Sequence, residues 1–454
     1  MIKSRKDIVS IRYFLTSLFI LTFFFVGCNS GSDATKTVSA DRIKVSTLAD
    51  VTQESDADYD NNKYGLITVK TLKSWLDDWS TNKPSGITGN LIILSGTNGG
   101  SGREFIGDSG TGIYSYAVSS SDYSQTRSSG PIATRSMVTN GAGADAFLKK
   151  FAIDPAKDMV VVVMGTGSNG GNMGIGRVWY MLRYWGVAQA NVSILNGGLD
   201  YHTVANNATD GLADSYFKTT ATTAPDTGTA SVKNLLVDNT ILQISLGELI
   251  EWVDETTTPT GGYMVWDVRT ASEYDGTKTS GGSIFEGHIK GAVHYGYAAL
   301  LDSTKGYSYR DKATLASKLA VAAPAANAAD AGDNATGIGY SATDAANGKI
   351  LVSHCKTSWR AMVSMLSTSM ILGYPHRVYD GAWAEWGDLS NSVDTDNKTG
   401  LSADSVWLTD NNSTRSDNVT YPTGSNNTGV VPIVINSDAA SATAIIDEDK
   451  GYKY

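Results

Sequence analysis

The chain has 454 residues, of which 41% are hydrophobic and 18% are charged, and its formal net charge at pH 7 is −10. This length exceeds that of one ordinary domain, and the hydrophobic content is sufficient for packed cores, so a collagen-like or fully disordered chain is excluded. The negative charge would repel polyanions and therefore argues against a nucleic-acid partner.

The first residues are typical of an export signal. Basic residues at positions 3, 5, 6 and 12 precede an apolar run over 13–26, which at fourteen residues is short for a membrane-spanning helix. The run ends in Phe25-Val26-Gly27-Cys28 and resembles the lipobox of bacterial lipoproteins, in which the cysteine is acylated. The resemblance implies a signal peptide over 1–27, lipidation of Cys28 and an extracytoplasmic protein anchored in the cell envelope, in the outer membrane or facing the periplasm. An ordinary signal peptide that contains a cysteine is the alternative.

The segment 28–62 is rich in Ser, Thr, Asp and Asn, and this composition predicts a flexible tether. From residue 63 onward, short apolar runs typical of strands alternate with amphipathic segments typical of helices. The predicted strands lie at 91–94, 159–164 and 192–195, and the predicted helices lie at 72–79, 144–151 and 177–185. Strands that are apolar throughout and separated by helices indicate a parallel sheet with helices on both faces.

The second half of the chain repeats this order of elements. Its predicted helices lie at 246–253 and 360–372, and its predicted strands lie at 264–266, 350–352 and 378–379. Two copies of one α/β unit explain the repeat better than one large domain. The predicted organisation is a first domain over 63–220, a linker over 221–240, a second domain over 241–390 and a polar C-terminal tail over 391–454.

Cys355 is the candidate nucleophile, and acylation of Cys28 would leave it as the only free thiol of the chain. Cys355 follows a predicted strand and precedes a predicted helix, so the backbone N–H groups and the helix dipole favour negative charge at its sulfur. Lys356 and Arg360 add positive charge, which predicts a reactive thiolate rather than a buried structural cysteine. No His or Cys cluster has the spacing of metal ligands, so no metal or other cofactor is expected.

Four motifs around Cys355 resemble those of the rhodanese family and occur in the family's order over about 120 residues. They are Val265-Trp266-Asp267-Val268-Arg269 followed by Glu273-Tyr274, the segment Gly287-His288-Ile289-Lys290-Gly291-Ala292, the loop 355–360, and the segment 379–386. In the first half, the helix 177–186 and the turn 195–198 resemble the non-catalytic domain of tandem sulfurtransferases. The loop 165–176 contains no cysteine. The resemblance implies two tandem rhodanese-like domains, each a parallel sheet flanked by helices, with the nucleophile only in the second.

The resemblance also implies a sulfurtransferase similar to thiosulfate sulfurtransferase. Cys355 would accept sulfur as a persulfide from a small anionic donor such as thiosulfate and pass it to a thiol or cyanide. Asp267 and Arg269 would support the loop from the neighbouring strand. The implied substrate-binding residues are Lys356, Thr357, Ser358, Trp359 and Arg360.

Two alternatives remain open. A rhodanese-fold phosphatase or arsenate reductase would have an arginine six positions after the cysteine, whereas Arg360 is five positions after Cys355. A non-enzymatic envelope protein with a redox or partner-binding role is the other alternative, because Ser358 and Trp359 depart from the family's loop. Glu273 stands where thiosulfate-specific tandem enzymes have a substrate-binding arginine, so the resemblance implies an anionic sulfur donor but no preference for thiosulfate. The sequence does not indicate a protein partner.

Overall fold

The computed structural model describes residues 42–96, 102–108, 111–127, 133–253, 255, 257–274, 287–322, 337–389, 409–410 and 439–454. All of these belong to one compact unit, Ser39–Tyr454. The predicted signal peptide, Cys28 and the first part of the predicted tether lie outside the described residues. Within the part of the chain that is described, no helix has the length and apolar character needed to cross a bilayer.

Two five-stranded parallel sheets form the framework of the molecule. The first sheet contains β1 Gly65–Ile67, β2 Leu91–Gly96, β3 Ile113–Val118, β4 Met159–Met164 and β5 Val192–Leu195. The second contains β6 Gln243–Ile244, β7 Tyr263–Asp267, β8 Val293–His294, β9 Ile350–His354 and β10 His376–Tyr379. Each sheet has the spatial order 1-5-4-2-3 when its own strands are counted along the chain, and all neighbours are parallel. The predicted α/β class with helix-flanked parallel sheets is confirmed.

Helices flank both sheets. The longer ones are α1 Val69–Asp77, α2 Gly141–Lys150, α3 Asn169–Tyr184, α4 Leu246–Val253, α5 Lys312–Ala320, α6 Trp359–Met365, α7 Ala382–Leu389 and α8 Ala439–Lys453. A π-helical segment, Leu366–Ile371, continues α6. Short helices are Leu48–Val51, Trp79–Asn82, Ser120–Tyr123, Ala271–Tyr274 and Ala342–Ala346. Short strands pair outside the two sheets, including the hairpins Ser124–Arg127 with Thr134–Val138 and Leu301–Asp302 with Ser308–Tyr309.

The two sheets share one hydrophobic core through α3 and α6. Each of these helices follows the fourth strand of its sheet, and they pack directly against each other. Gly176 permits the close approach, since a Cβ atom at this position would lie only 2.8 Å from the Cβ of Met362. The largest cluster of buried apolar side chains therefore includes residues from both halves, such as Trp179 and Met365.

The structure differs from the predicted tether over residues 42–62. Lys44–Val45 pairs in parallel with Val237–Asp238, which lies in the predicted linker. The backbone N–H of Ser55 donates to the carbonyl of Ile371 at 2.9 Å. The apolar residues that anchor this segment are single positions within a polar stretch, so composition alone does not reveal them.

The predicted polar tail also contains an ordered element. Helix α8 packs on the body of the molecule, with Ile445 and Ile446 buried. Asp449 lies in the same interface and accepts hydrogen bonds from Arg127 at 2.9 Å and from the Tyr184 hydroxyl at 2.7 Å. One buried aspartate cannot be told from the exposed ones in a polar sequence. The composition therefore did not predict that α8 packs on the body of the molecule.

Candidate active site

Cys355 lies at the carboxyl end of β9, where the loop 355–358 leads into α6. This edge of a parallel sheet is where α/β proteins commonly place binding sites. Cys355 forms no disulfide within the described residues, and its side chain is only 1% exposed. The backbone N–H groups of Trp383 and Ala384 donate to the carbonyls of Cys355 and Lys356 at 2.9 and 2.8 Å. The first turn of α7 therefore holds the loop in place.

Ser358 adopts a left-handed backbone conformation, with φ of +56°. Glycine adopts this conformation at little cost, which gives a physical reason for the glycine that the rhodanese pattern has here. The Ser358 hydroxyl donates to the carbonyl of Tyr379 at 2.6 Å, and the side chain is fully buried. Serine lacks the conformational freedom of glycine, but its hydroxyl forms a hydrogen bond that connects the loop to β10.

Arg360 is held by a forked ion pair with Glu273. Its Nη1 and Nη2 atoms lie 2.6 and 2.9 Å from the two carboxylate oxygens. Burial opposes ionisation of Glu273, but the hydrogen bonds from Arg360 outweigh it and lower the pKa to about 2. Burial likewise opposes the charge on Arg360, while interactions with Glu273 and the Cys355 sulfur raise its pKa above the ordinary value. A fixed cation therefore lies beside the thiol.

Asp267 and Arg269 form a second ion pair directly behind the loop. Arg269 Nη2 lies 2.6 Å from Asp267 Oδ2, and both side chains are fully buried. Asp267 is opposite His354 in the register of β7 and β9, and the backbone N–H of Val268 donates to the carbonyl of His354 at 3.1 Å. Burial opposes ionisation of Asp267, but the charge of Arg269 holds its pKa well below the usual range. The guanidinium also lies 4.4 Å from the ring centroid of Trp383.

His354 is completely buried beneath the nucleophile. Its Nδ1 lies 3.2 Å from the carbonyl oxygen of Cys355, and its Nε2 lies 3.9 Å from Asp267. Burial lowers the pKa of His354 to about 4, so the imidazole is neutral at pH 7. This environment suits a role in orienting the loop rather than in proton transfer.

Comparison with known proteins identifies this part of the chain. Residues 246–389 match the family described as Rhodanese-like domain. The chain is 29% identical over 125 residues to thiosulfate sulfurtransferase of Pseudomonas aeruginosa and 30% identical over 126 residues to that of Azotobacter vinelandii. These residues are therefore similar to a rhodanese-like domain. Each alignment covers 27% of this chain and 36% of the relative, so the chain spans only about a third of the length of either relative.

Solved structures resemble the chain over a longer span. The anaerobic ergothioneine biosynthesis enzyme from Chlorobium limicola, in complex with trimethyl histidine, has a TM-score of 0.50 at 16% identity and covers 73% of this chain and 69% of its own. Tum1 protein from Saccharomyces cerevisiae has a TM-score of 0.49 at 16% identity, with coverage of 72% and 95%. At 16% identity, the similarity to the Chlorobium limicola enzyme shows the fold alone.

The first half of the chain supplies part of the surroundings of the rhodanese loop. The Trp359 ring lies 5.7 Å from the ring of Tyr123, at an interplanar angle of 40°. From the second half, Tyr297 lies near Arg360: burial raises the pKa of its phenol, and the charge of Arg360 opposes the shift. Both tyrosines approach the site only through the fold, so the sequence motifs gave no signal for them.

The equivalent loop of the first half is covered by the rhodanese half. Residues 165–168 connect β4 to α3 in the same way that residues 355–358 connect β9 to α6. Asn172 Nδ2 donates to the carbonyl of Tyr307 at 2.7 Å, and a Cβ atom at Gly167 would lie 2.5 Å from the Gly306 carbonyl oxygen. Backbone from the hairpin 301–309 thus occupies the space above this loop.

The predicted site residues of the rhodanese half lie together on the loop or directly behind it, while Cys28 lies outside the described residues. The half-buried ones are Lys356, Thr357, Trp359 and Arg360, and the buried ones are Asp267, Arg269, Cys355 and Ser358. The forked contact between Arg360 and Glu273 was not predicted. The sequence showed that Glu273 belongs to a motif of the family. Its contact with Arg360 follows only from the pairing of β7 with β9.

Proposed function

We propose that the protein is a sulfurtransferase that carries sulfur on Cys355. The observation that carries this proposal is the fixed cation beside the thiol, since Arg360 is locked by Glu273 and interacts with the Cys355 sulfur. A cation in this position stabilises an anionic sulfur in either the thiolate or the persulfide form. The relatives of this domain are thiosulfate sulfurtransferases, which supports sulfur transfer as the reaction class.

The reaction has two displacement steps and needs no oxidant or reductant. The Cys355 thiolate attacks the outer sulfur of a donor such as thiosulfate, the donor S–S bond breaks, and sulfite leaves with the electron pair. A thiol or cyanide then attacks the outer sulfur of the persulfide and releases the Cys355 thiolate. Arg360 orients the anions, and the half-buried Lys356 and Thr357 line the loop that faces them.

The architecture supports a proposal of two tandem rhodanese-like domains, with a nucleophile only in the second. The same strand order in both sheets supports the duplication, and the absence of cysteine from 165–176 supports a non-catalytic first half. The proposed location is extracytoplasmic, with a lipid anchor on Cys28. The basic and apolar residues of 1–27 and the Gly27-Cys28 pair support it.

Mass spectrometry of the intact protein tests the reaction. Incubation with thiosulfate should add about 32 Da, the mass of one sulfur atom, and cyanide should then remove it. Cys355→Ser should show no adduct and no turnover. The matched variant Cys28→Ser should lose the lipid anchor but form the sulfur adduct and turn over thiosulfate as the natural protein does. Full thiosulfate:cyanide turnover by Cys355→Ser would overturn the proposal.

The length of the loop argues against the phosphatase alternative. Arg360 is five positions after Cys355, whereas a rhodanese-fold phosphatase or arsenate reductase would have its arginine six positions after the cysteine. An aryl phosphate ester offered at the same concentration as thiosulfate should therefore not be hydrolysed. Hydrolysis that depends on Cys355 would favour the alternative.

A further inference from the structure

A chain of buried hydrogen bonds connects α8 to the hairpin Ser124–Arg127 with Thr134–Val138. The Asp449 carboxylate accepts from Arg127 twice, at 2.9 Å from Nη2 and 3.1 Å from Nη1. The Arg127 guanidinium also donates to the carbonyl of Val138 at 3.4 Å, in the opposite strand of the hairpin. The side chains of Arg127 and Asp449 are each only 1% exposed.

The same hairpin is bonded to the support of the catalytic loop. The backbone N–H of Val138 donates to Asp380 Oδ2 at 2.7 Å, and Asp380 is fully buried. The turn after Asp380 leads into α7, whose first residue, Ala382, has a φ of +55°. Trp383 of α7 then donates its N–H to the carbonyl of Cys355. The position of this turn therefore determines the direction of the N–H groups that hold the loop.

Asp449 is the buried carboxylate partner of Arg127 in this series of hydrogen bonds. Glu448 also reaches Arg127, at 3.0 Å, but its side chain is 43% exposed and lies at the rim. Without Asp449, Arg127 would be a buried cation whose one remaining carboxylate partner, Glu448, is exposed, besides the neutral carbonyls of Val138 and Ile445. A buried charge without a buried counter-charge moves towards water when it can. Movement of Arg127 would displace the carbonyl of Val138 and, with it, the N–H group that holds Asp380 together with Arg177.

We propose that α8 forms part of the active-site support and that Asp449 is a positioning residue for Cys355. It acts through Arg127, Val138 and Asp380, and it does not touch the reacting atoms. The inference rests on the proposed function in one respect, namely that Cys355 is the reactive group. It gives a role to a segment outside the region 246–389 that matches the rhodanese family.

Asp449→Asn tests the proposal, with Glu448→Gln as the matched control on the same helix. The first measurement is the rate of Cys355 alkylation by iodoacetamide, which requires no sulfur transfer. We expect Asp449→Asn to slow alkylation and to lower kcat for thiosulfate by about ten-fold with little change in KM, since small displacements of catalytic groups have effects of this size or larger. Glu448→Gln should remain within about two-fold of the unmodified chain, and Asp449→Glu should recover most of the rate.

A second variant keeps the test decisive if Asp449→Asn does not fold. Arg127→Met combined with Asp449→Leu removes both charges, which buried ion pairs often tolerate, but it still breaks the link to Val138. The same slowing is expected. Alkylation and turnover within two-fold of the unmodified chain in the folded variants would overturn the positioning role. If the protein without substitutions is alkylated at Cys355 but forms no persulfide with thiosulfate, the proposed function is overturned. The comparison of alkylation rates between the variants would still test the positioning role of Asp449.

Discussion

Arg177 of α3 and Asp380 at the end of β10 form a buried ion pair between the two halves of the molecule. Arg177 Nη1 lies 2.5 Å from Asp380 Oδ1, and Nη2 lies 3.0 Å from Oδ2. Neither side chain is exposed. Arg177 also donates to the carbonyl of Ser136 at 2.8 Å, so the pair is bonded to the hairpin that lies between the halves. Each partner belongs to a different sequence motif, and the pair explains how the two motifs depend on each other.

Arg177→Met should destabilise the protein because it leaves the charge of Asp380 buried without its partner. Removal of one member of a buried pair typically costs about 3–5 kcal/mol. Urea unfolding followed by fluorescence should show a lower midpoint with an unchanged m value. The double variant Arg177→Met, Asp380→Asn should recover part of the loss, since asparagine keeps an oxygen for the Val138 N–H. A loss below about 1 kcal/mol in the single variant would show that water replaces the arginine.

The contact between α3 and α6 gives a prediction about packing. Gly176→Ala should destabilise the protein by about 1–3 kcal/mol, because the added methyl group would lie 2.8 Å from the Cβ of Met362. Gly174→Ala on the same helix is the matched control, since its nearest neighbour would be the Tyr123 hydroxyl at 3.5 Å. The control should be neutral or stabilising by about 0.5–1 kcal/mol, as alanine favours helix. Equal effects in thermal unfolding would contradict the close helix approach.

The sequence predicted the central strands because their apolar character is continuous. β4, for example, is buried along its whole length and was placed at the same residues, Met159–Met164. β3 was missed because its apolar residues are interrupted by tyrosine and serine. β6 and β8 were missed because two residues are too few to show a period. Edge strands of this kind are defined by their neighbours, not by their own sequence.

The site was predictable to the extent that it is local in sequence. Cys355, its loop and the Asp267–Arg269 pair follow the ends of two neighbouring strands, so motif and strand pattern together place them. Tyr123 and Asp449 are far from the loop along the chain and reach its surroundings only through tertiary contacts. No spacing rule connects such positions in a single sequence.

Arg360→Lys should impair sulfur transfer although it preserves the charge. Lysine cannot bind both oxygens of Glu273 and also reach the Cys355 sulfur, because it lacks the planar fork of arginine. We expect kcat for thiosulfate to fall by about 10–100-fold, in the range seen when a stabilising donor is removed from an active site. The half-buried Arg103 pairs with the exposed Asp214 in the first half, and Arg103→Lys should leave kcat unchanged. Equal rates for both variants would show that the charge alone is sufficient.

Glu385 should make the stability of the protein depend on pH. Burial raises its pKa from the ordinary value of 4.5 to about 7, while the Tyr379 hydroxyl donates to it at 2.7 Å and opposes the shift. The folded state therefore binds a proton that the unfolded state releases between pH 4.5 and 7, and stability from this group is lost as the pH rises through that window.

Glu385→Gln removes this titration. The variant should match the unmodified protein near pH 4.5 and be more stable at pH 8, by up to roughly 3 kcal/mol. Thermal unfolding at both pH values measures the difference, and Glu251→Gln on an exposed face serves as the control. A stability difference that is the same at pH 4.5 and pH 8 would contradict the assignment.

The core that both sheets share has a consequence for protein engineering. Trp179 lies in the first half and Met362 in the second, and both belong to the same set of buried apolar side chains. A fragment cut at the family boundaries 246–389 would uncover the apolar side of α6 and the partner surface of Asp380. We expect such a fragment to aggregate. An expression design that keeps Cys355 in a folded protein should therefore include both halves of the chain.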